Sequence, residues 1–137
     1  MKKQMQVDAN ALVKHARDVR ARAYAPYSHY HVGAAVLTRS GKVFSGCNVE
    51  NASYGLAICA ERNAIFQMVA AGEQEIAAIA VVTENGGSPC GACRQVLSEF
   101  ARDDTPVWVA DARGRKKKFT LAELLPARFT PKHLGKK

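Results

Sequence analysis

The sequence predicts an α/β domain in three layers, with helices on both faces of a central five-stranded mixed sheet. Three observations lead there. Helical and strand-like stretches follow one another in the order α-β-β-α-β-α-β-β-α, the alternation of a layered domain. Ile76 to Thr83 is almost wholly apolar, with no polar face, as a central strand covered on both sides requires. The chain has 137 residues, 47% of them hydrophobic, which suits one core and not two. The expectation is a single domain over 1–137, with its core at about 8–126 and a basic tail at 127–137.

Each element has a local cause. Asp8 is an N-cap, and Leu12, Ala16, Val19 and Ala23 recur at helical spacing, so an amphipathic helix runs from Asp8 and ends before Pro26. Val32 to Thr38 and Lys42 to Val49 read as strands joined at Ser40-Gly41, a hairpin. A polar loop from Glu50 to Gly55 follows. Cys59 to Ala71 reads as a helix with Ala64, Ile65, Met68 and Val69 inside, and Gly72 ends it. After the strand at Ile76 to Thr83 comes a loop, Glu84 to Pro89. Cys90 to Ala101 is a helix with Val96, Leu97 and Phe100 inside. Pro106 to Ala110 and Lys116 to Thr120 are strands. Thr120 and Glu123 have capping-box spacing for a last short helix, Leu121 to Leu125.

The net charge of +8 raises the question of a nucleic-acid partner. Its distribution argues otherwise. Much of it lies in Arg113, Arg115, Lys116, Lys117 and Lys118 and in Lys132, Lys136 and Lys137, with Lys14, Arg17, Arg20 and Arg22 on the first helix. No aromatic residues interleave the Arg113 to Lys118 run, as a base-stacking surface would need. A solvated turn and a frayed tail are expected, with no nucleic-acid partner. The first residues, Met1 to Gln6, lack the apolar run of a signal peptide, and Ile76 to Val82 is too short to span a bilayer. The expected compartment is the cytoplasm, without membrane contact.

Chemistry concentrates in Cys59-Ala60-Glu61 and in Pro89-Cys90-Gly91-Ala92-Cys93. Cys59, Cys90 and Cys93 offer three thiolates, which leave one position open on a tetrahedral zinc, the mark of a catalytic site. Glu61, two residues from the first thiolate, is placed to move protons for a zinc-activated water. The pattern matches the three-cysteine form of the signature of zinc-dependent nucleobase deaminases. The fourth cysteine, Cys47, lies twelve positions before Cys59, whereas structural sites pair their ligands as two short-spaced couples. Disulfides are disfavoured because nothing suggests secretion. Cys59 and Cys90 both fall at helix N-termini, where the helix dipole favours a thiolate. Three thiolates and one zinc sum to −1, and Arg62, more than Arg94, is placed to draw charge off the sulfurs.

With these residues in hand, the sequence closely resembles the small cytidine deaminases, the homotetrameric branch with short single-domain chains. The resemblance runs from about Ala23 to Leu125. It rests on Pro26-Tyr27-Ser28, Val32-Gly33-Ala34-Ala35, Gly46 to Gly55, Cys59 to Arg62 and Ser88 to Gln95. It implies one zinc per chain on Cys59, Cys90 and Cys93, with Glu61 as the proton carrier. It implies that Asn48 and Glu50 hold the ribose 3′-hydroxyl, with Val49 between them, and that Ala60 and Tyr30 line the pyrimidine. The family usually has phenylalanine where this chain has Tyr30, so the tyrosine hydroxyl needs a partner. It further implies a homotetramer in which a neighbour's Asn51 to Tyr54 loop completes the pocket.

The resulting expectation is hydrolysis of cytidine and 2′-deoxycytidine to the uridine products with release of ammonia, a pyrimidine salvage reaction on a small-molecule nucleoside. Three alternatives stay open on sequence alone. A deaminase of polynucleotides shares the zinc cluster, but Glu50 would repel a 3′-phosphate. A deaminase of a cytosine antibiotic such as blasticidin S is disfavoured by the intact Asn48-Val49-Glu50. A zinc-stabilised binding module would leave Glu61 as an ordinary first-turn acid.

Overall fold

The computed structural model describes residues 7–136; the expectation for Met1 to Gln6 lies outside them. Five strands form one sheet: β1 (Gly33–Thr38), β2 (Val43–Cys47), β3 (Ile76–Val82), β4 (Pro106–Ala110) and β5 (Lys116–Thr120). Their order is β2-β1-β3-β4-β5. Only the β3–β4 pair is parallel; the others are antiparallel, so the sheet is mixed. β3 is central, and all seven of its residues are buried.

The pleat sends alternate side chains to opposite faces and so builds two cores. Ala34, Val36, Ile79, Val81, Val107 and Val109 face α2 (Ala60–Ala70), α3 (Gly91–Phe100) and α4 (Leu121–Leu124). Ala35, Ala78, Ala80, Val82 and Ala110 face α1 (Ala9–Arg20). The second face is mostly alanine, so α1 lies close: a Cβ on Gly33 would sit 1.9 Å from Ala16 O. Gly46 of β2 does the same for α2, where a Cβ would lie 2.5 Å from Ala64 N. The expected three-layer α/β/α domain with a five-stranded mixed sheet is the fold observed.

Several boundaries differ from expectation. α1 is capped by Asp8, whose carboxylate accepts from Ala11 N at 3.1 Å, but it stops at Arg20. The reason is tertiary: Tyr24 leaves the helix to pair beside Asn48 to Glu50, with Tyr24 N donating to Asn48 O and Glu50 N to Tyr24 O. β1 begins at Gly33 because Val32 N is taken by the Asn48 side chain. Val69, expected inside, is exposed on α2. Lys117 and Lys118, expected in a solvated run without aromatics, lie over the rings of Phe119 and Trp108 at 5.6 and 5.7 Å.

Residues 127–136 of the tail are tied to the domain rather than frayed, and Lys137 lies outside the described residues. Arg128 Nε donates to Ser98 Oγ at 2.7 Å, and its guanidinium pairs with Asp103. Gln95 Nε2 donates to Phe129 O at 3.1 Å, and Phe129 stacks on His133. A short 3-10 turn, Pro131–Leu134, closes the described chain. Thr120 and Glu123 form the expected capping box.

Candidate metal centre and active site

Two helices point their N-termini at one place. Cys59 is the N-cap of α2 and Cys90 the N-cap of α3. Cys93 is one turn into α3 and buried. Neither N-cap side chain closes a cap hydrogen bond, so both sulfurs remain available. The three Sγ atoms lie within 4.8 Å of one another. Cys59 to Cys90 is 3.9 Å and Cys90 to Cys93 is 3.5 Å. A tetrahedral zinc with bonds of about 2.3 Å holds its sulfurs about 3.8 Å apart. The donor set and its spacing therefore fit that ion. Cys47 is not among the three; its carbonyl accepts from Asn63 Nδ2 on α2 at 2.8 Å.

The two arginines divide their work. Arg62 Nη2 donates to Cys59 Sγ at 3.3 Å. Arg94 points away from the sulfurs. It donates to Pro89 O (2.7 Å), Leu124 O (2.7 Å) and Ser88 Oγ (2.8 Å), pinning the loop before Cys90 to the end of α4. A hydrogen bond from the Cys93 thiol, aided by Arg62, brings the Cys59 thiol down to about 5 despite burial. The Cys93 thiol is pushed far up by that same bond to Cys59, by burial and by Glu61.

Glu61 is in the first turn of α2 and only 5% exposed. Burial raises its carboxyl to about 7; its own backbone hydrogen bond and Arg62 oppose the shift, while the charge on Cys59 adds to it. A carboxyl poised near neutral pH can both take and return a proton. Ala60, beside it, is fully buried.

A second group of residues forms around Glu50. Its Oε1 accepts from Tyr27 N (3.0 Å) and Ser28 N (3.1 Å), and Ser28 Oγ donates to Oε2. The Ser28 hydroxyl, with these two N–H groups, holds the Glu50 carboxyl below its ordinary value against a smaller opposing effect of burial. A cavity of about 290 Å³ is lined here by Tyr27, Ser28, Glu50, Asn51, Tyr54 and Ala57. Asn51 and Tyr54, expected to serve a neighbour's pocket, thus line this chain's own cavity. Val49 does not join them. Both its backbone groups pair with Ile58, and its side chain faces a separate groove with Cys47, Asn63 and Phe66.

Asn48 joins the segment at Tyr30 to Val32. Its Oδ1 accepts from Val32 N and its Nδ2 donates to Tyr30 O, both at 2.8 Å. Tyr30 in turn donates its hydroxyl to Asn85 Oδ1 at 2.9 Å. Sequence reasoning missed Tyr27 and Ser28 as partners of Glu50, and Asn85 as partner of Tyr30. The unpaired phenol implied by a tyrosine at 30 was the one available signal for Asn85.

Comparison with known proteins agrees with this geometry. Residues 6–109 match the family model described as the cytidine and deoxycytidylate deaminase zinc-binding region. The chain is 45% identical over 131 residues to a cytidine deaminase of Halalkalibacterium halodurans, covering 94% of this chain and 99% of that one. The structure of cytidine deaminase from Burkholderia pseudomallei superposes with a TM-score of 0.85 at 49% identity, covering 90% of this chain and 100% of that one. Cytidine deaminase from Mycobacterium tuberculosis is similar at a TM-score of 0.79 and 40% identity, over 90% and 98% of the two chains. A three-thiolate cluster, a buried carboxylate beside it and this breadth of likeness have one reading: the chain belongs to the cytidine and deoxycytidylate deaminase zinc-binding family.

Proposed function

We propose that this chain hydrolyses cytidine and 2′-deoxycytidine to uridine and 2′-deoxyuridine, releasing ammonia, as a cytoplasmic step of pyrimidine salvage. The observation that carries the reading is Glu61, a buried carboxyl raised to about 7 two residues from Cys59 of the three-thiolate cluster. Cys59, Cys90 and Cys93 would hold a zinc, which would supply Lewis acidity enough to lower the pKa of a water from about 15.7 to about 7. Glu61 accepts the proton of the attacking water and passes it to ring N3. After the water oxygen has bonded to C4, Glu61 takes the remaining proton of that oxygen and delivers it to the exocyclic amine, so that the C4 carbonyl forms as the C4–N bond breaks and ammonia leaves. One carboxylate thus acts as base and then as acid.

The ribose end supports a nucleoside substrate by its hydrogen-bond count. An ionised carboxylate has about four acceptor positions. Glu50 uses two on Oε1 and one on Oε2, so Oε2 keeps one. An amide NH₂ has two donors, and Asn48 uses one, on Tyr30 O. The pair therefore offers one acceptor and one donor, the complement of a single hydroxyl. A 3′-phosphate would bring negative charge to Glu50, which disfavours nucleotides and polynucleotides.

The assembly proposed is a homotetramer without nucleic-acid or membrane partners. Exposed apolar residues support an oligomer: Tyr54 and Leu56 are 76% and 66% exposed, with Phe66 and Val49 also uncovered. Among the described residues no helix is long and apolar enough to cross a membrane. An ultraviolet assay with cytidine, deoxycytidine, cytidine monophosphate and blasticidin S tests the function. Loss of absorbance with the two nucleosides is expected; none with either overturns the reading. Light scattering of the active protein at assay concentration is expected to give a tetramer, and an active monomer overturns that part.

A further inference from the structure

We propose that Asn85 and Gly87 are positioning residues that hold Tyr30 as a preset wall for the pyrimidine, joined to the loop that delivers Cys90. The inference rests on the reading above that Tyr30 lies against the base. Three observations carry it.

The Tyr30 hydroxyl has a dedicated seat. It donates to Asn85 Oδ1 at 2.9 Å, across 55 positions of sequence. The same oxygen fills the space beside Gly87, where an added Cβ would come within 2.6 Å of it. After the phenol oxygen the next nearest atoms to that Cβ are Asn85 Oδ1 at 3.6 Å and Tyr30 Cζ at 3.8 Å, ordinary contact distances. Gly87 lies outside the left-handed region, so no positive φ demands glycine there. The phenol oxygen demands it.

The seat itself is fixed. Gly87 N donates to Thr83 Oγ1 at 2.8 Å, which ties the loop to the end of β3. A second tie runs parallel to the first. Arg20 donates through Nε to His31 O at 2.8 Å and through Nη2 to Glu84 Oε2 at 2.9 Å. Residues 30–31 and 84–87 are thus joined at two points, and the second segment continues directly into Ser88-Pro89-Cys90. A ring held in place before substrate arrives binds it without first being ordered, which favours affinity over turnover.

The consequence is a reciprocal dependence between positions 30 and 87. Gly87→Ala should raise KM for cytidine about threefold to tenfold, the worth of one displaced hydrogen bond, with kcat kept within about twofold. In a Tyr30→Phe background the 2.6 Å contact is gone and the nearest atoms named above stand at ordinary contact distances, so Gly87→Ala should cost nothing further. Asn85→Asp keeps an acceptor and should keep KM near the wild-type value, whereas Asn85→Ala should raise it. The experiment compares wild type, Gly87→Ala, Tyr30→Phe, their double variant and the two Asn85 variants by KM, kcat and thermal unfolding. An equal Gly87→Ala penalty in both backgrounds overturns the latch. Coupling seen in unfolding with KM unchanged in every variant overturns its role in base binding. Absence of cytidine turnover by wild type marks failure of the functional reading instead, and the unfolding data then decide the Tyr30–Gly87 coupling on their own.

Discussion

The guanidinium of Arg62 lies 3.3 Å from Cys59 Sγ, so a fixed positive charge stands directly against one of the three thiolates. Arg94, on the next helix, donates to Pro89 O and Ser88 Oγ of the Cys90 loop and to Leu124 O of α4, and leaves the sulfurs alone. Arg62→Gln removes charge without removing a ligand. Partners of metal ligands are worth about 10- to 100-fold in affinity or activity. The variant should keep its zinc by elemental analysis and lose kcat within that range. Full activity would show that Arg62 only fills space.

Glu61→Gln should fold and retain zinc while losing about 10²- to 10⁴-fold in kcat, the usual scale for removing a general acid–base group. The amide keeps the shape of the buried side chain and abolishes proton transfer. A variant within about tenfold of wild type, below that range, would reject Glu61 as the carrier.

Cys47→Ser should leave one zinc per chain, because Cys47 stands outside the cluster of three. Cys90→Ser should lose the metal. Metal analysis after dialysis reads both, and the opposite pattern would reassign the ligands.

Glu50→Gln should raise KM for cytidine about tenfold to a hundredfold, from the loss of a hydrogen bond to a charged group. It should narrow the preference for cytidine over cytidine 3′-monophosphate. The pH dependence follows from the Ser28 hydroxyl, the main influence holding the Glu50 carboxyl below its ordinary value. A depressed carboxyl stays ionised as pH falls through the usual carboxylate range and protonates only beneath it. The ratio of KM for 3′-deoxycytidine to KM for cytidine, neither of which carries a phosphate that titrates at about 6, should therefore stay level from pH 8 to about 5 and fall only below the ordinary carboxylate pKa of about 4.3. A ratio that collapses near neutral pH would show that Glu50 is not held in this way.

The parts of the site that were readable in the sequence are the local ones. Cys59 and Glu61 share one turn of α2, and Cys90 and Cys93 one turn of α3, so spacing alone brings each pair together. The parts that were not readable depend on distant segments meeting. Glu50 and Ser28 are 22 positions apart and meet because Tyr24 pairs beside Val49. That pairing also ends α1 early, against a helical pattern that runs on to Ala23. Tyr30 and Asn85 depend on β1 and β3 being neighbours, which no local pattern encodes. The basic tail looked disordered by composition, yet Phe129, Arg128 and Gln95 tie it to α3.

Gly46 sets how closely α2 rests on β2, since a Cβ there would strike Ala64 N at 2.5 Å and Ala60 O at 2.9 Å. Behind this contact stand Cys59 and Glu61, the first carried at the cap of α2 and the second in its opening turn. Whatever lifts that helix moves Cys59 and Glu61, the proposed metal ligand and proton carrier, together and by the same vector. A methyl group at position 46 would therefore impair metal retention and proton delivery as a single defect, and no repair at Cys59 or Glu61 alone would restore either. The two halves of the chemistry are inherited as one rigid piece, registered against the sheet by a hydrogen atom.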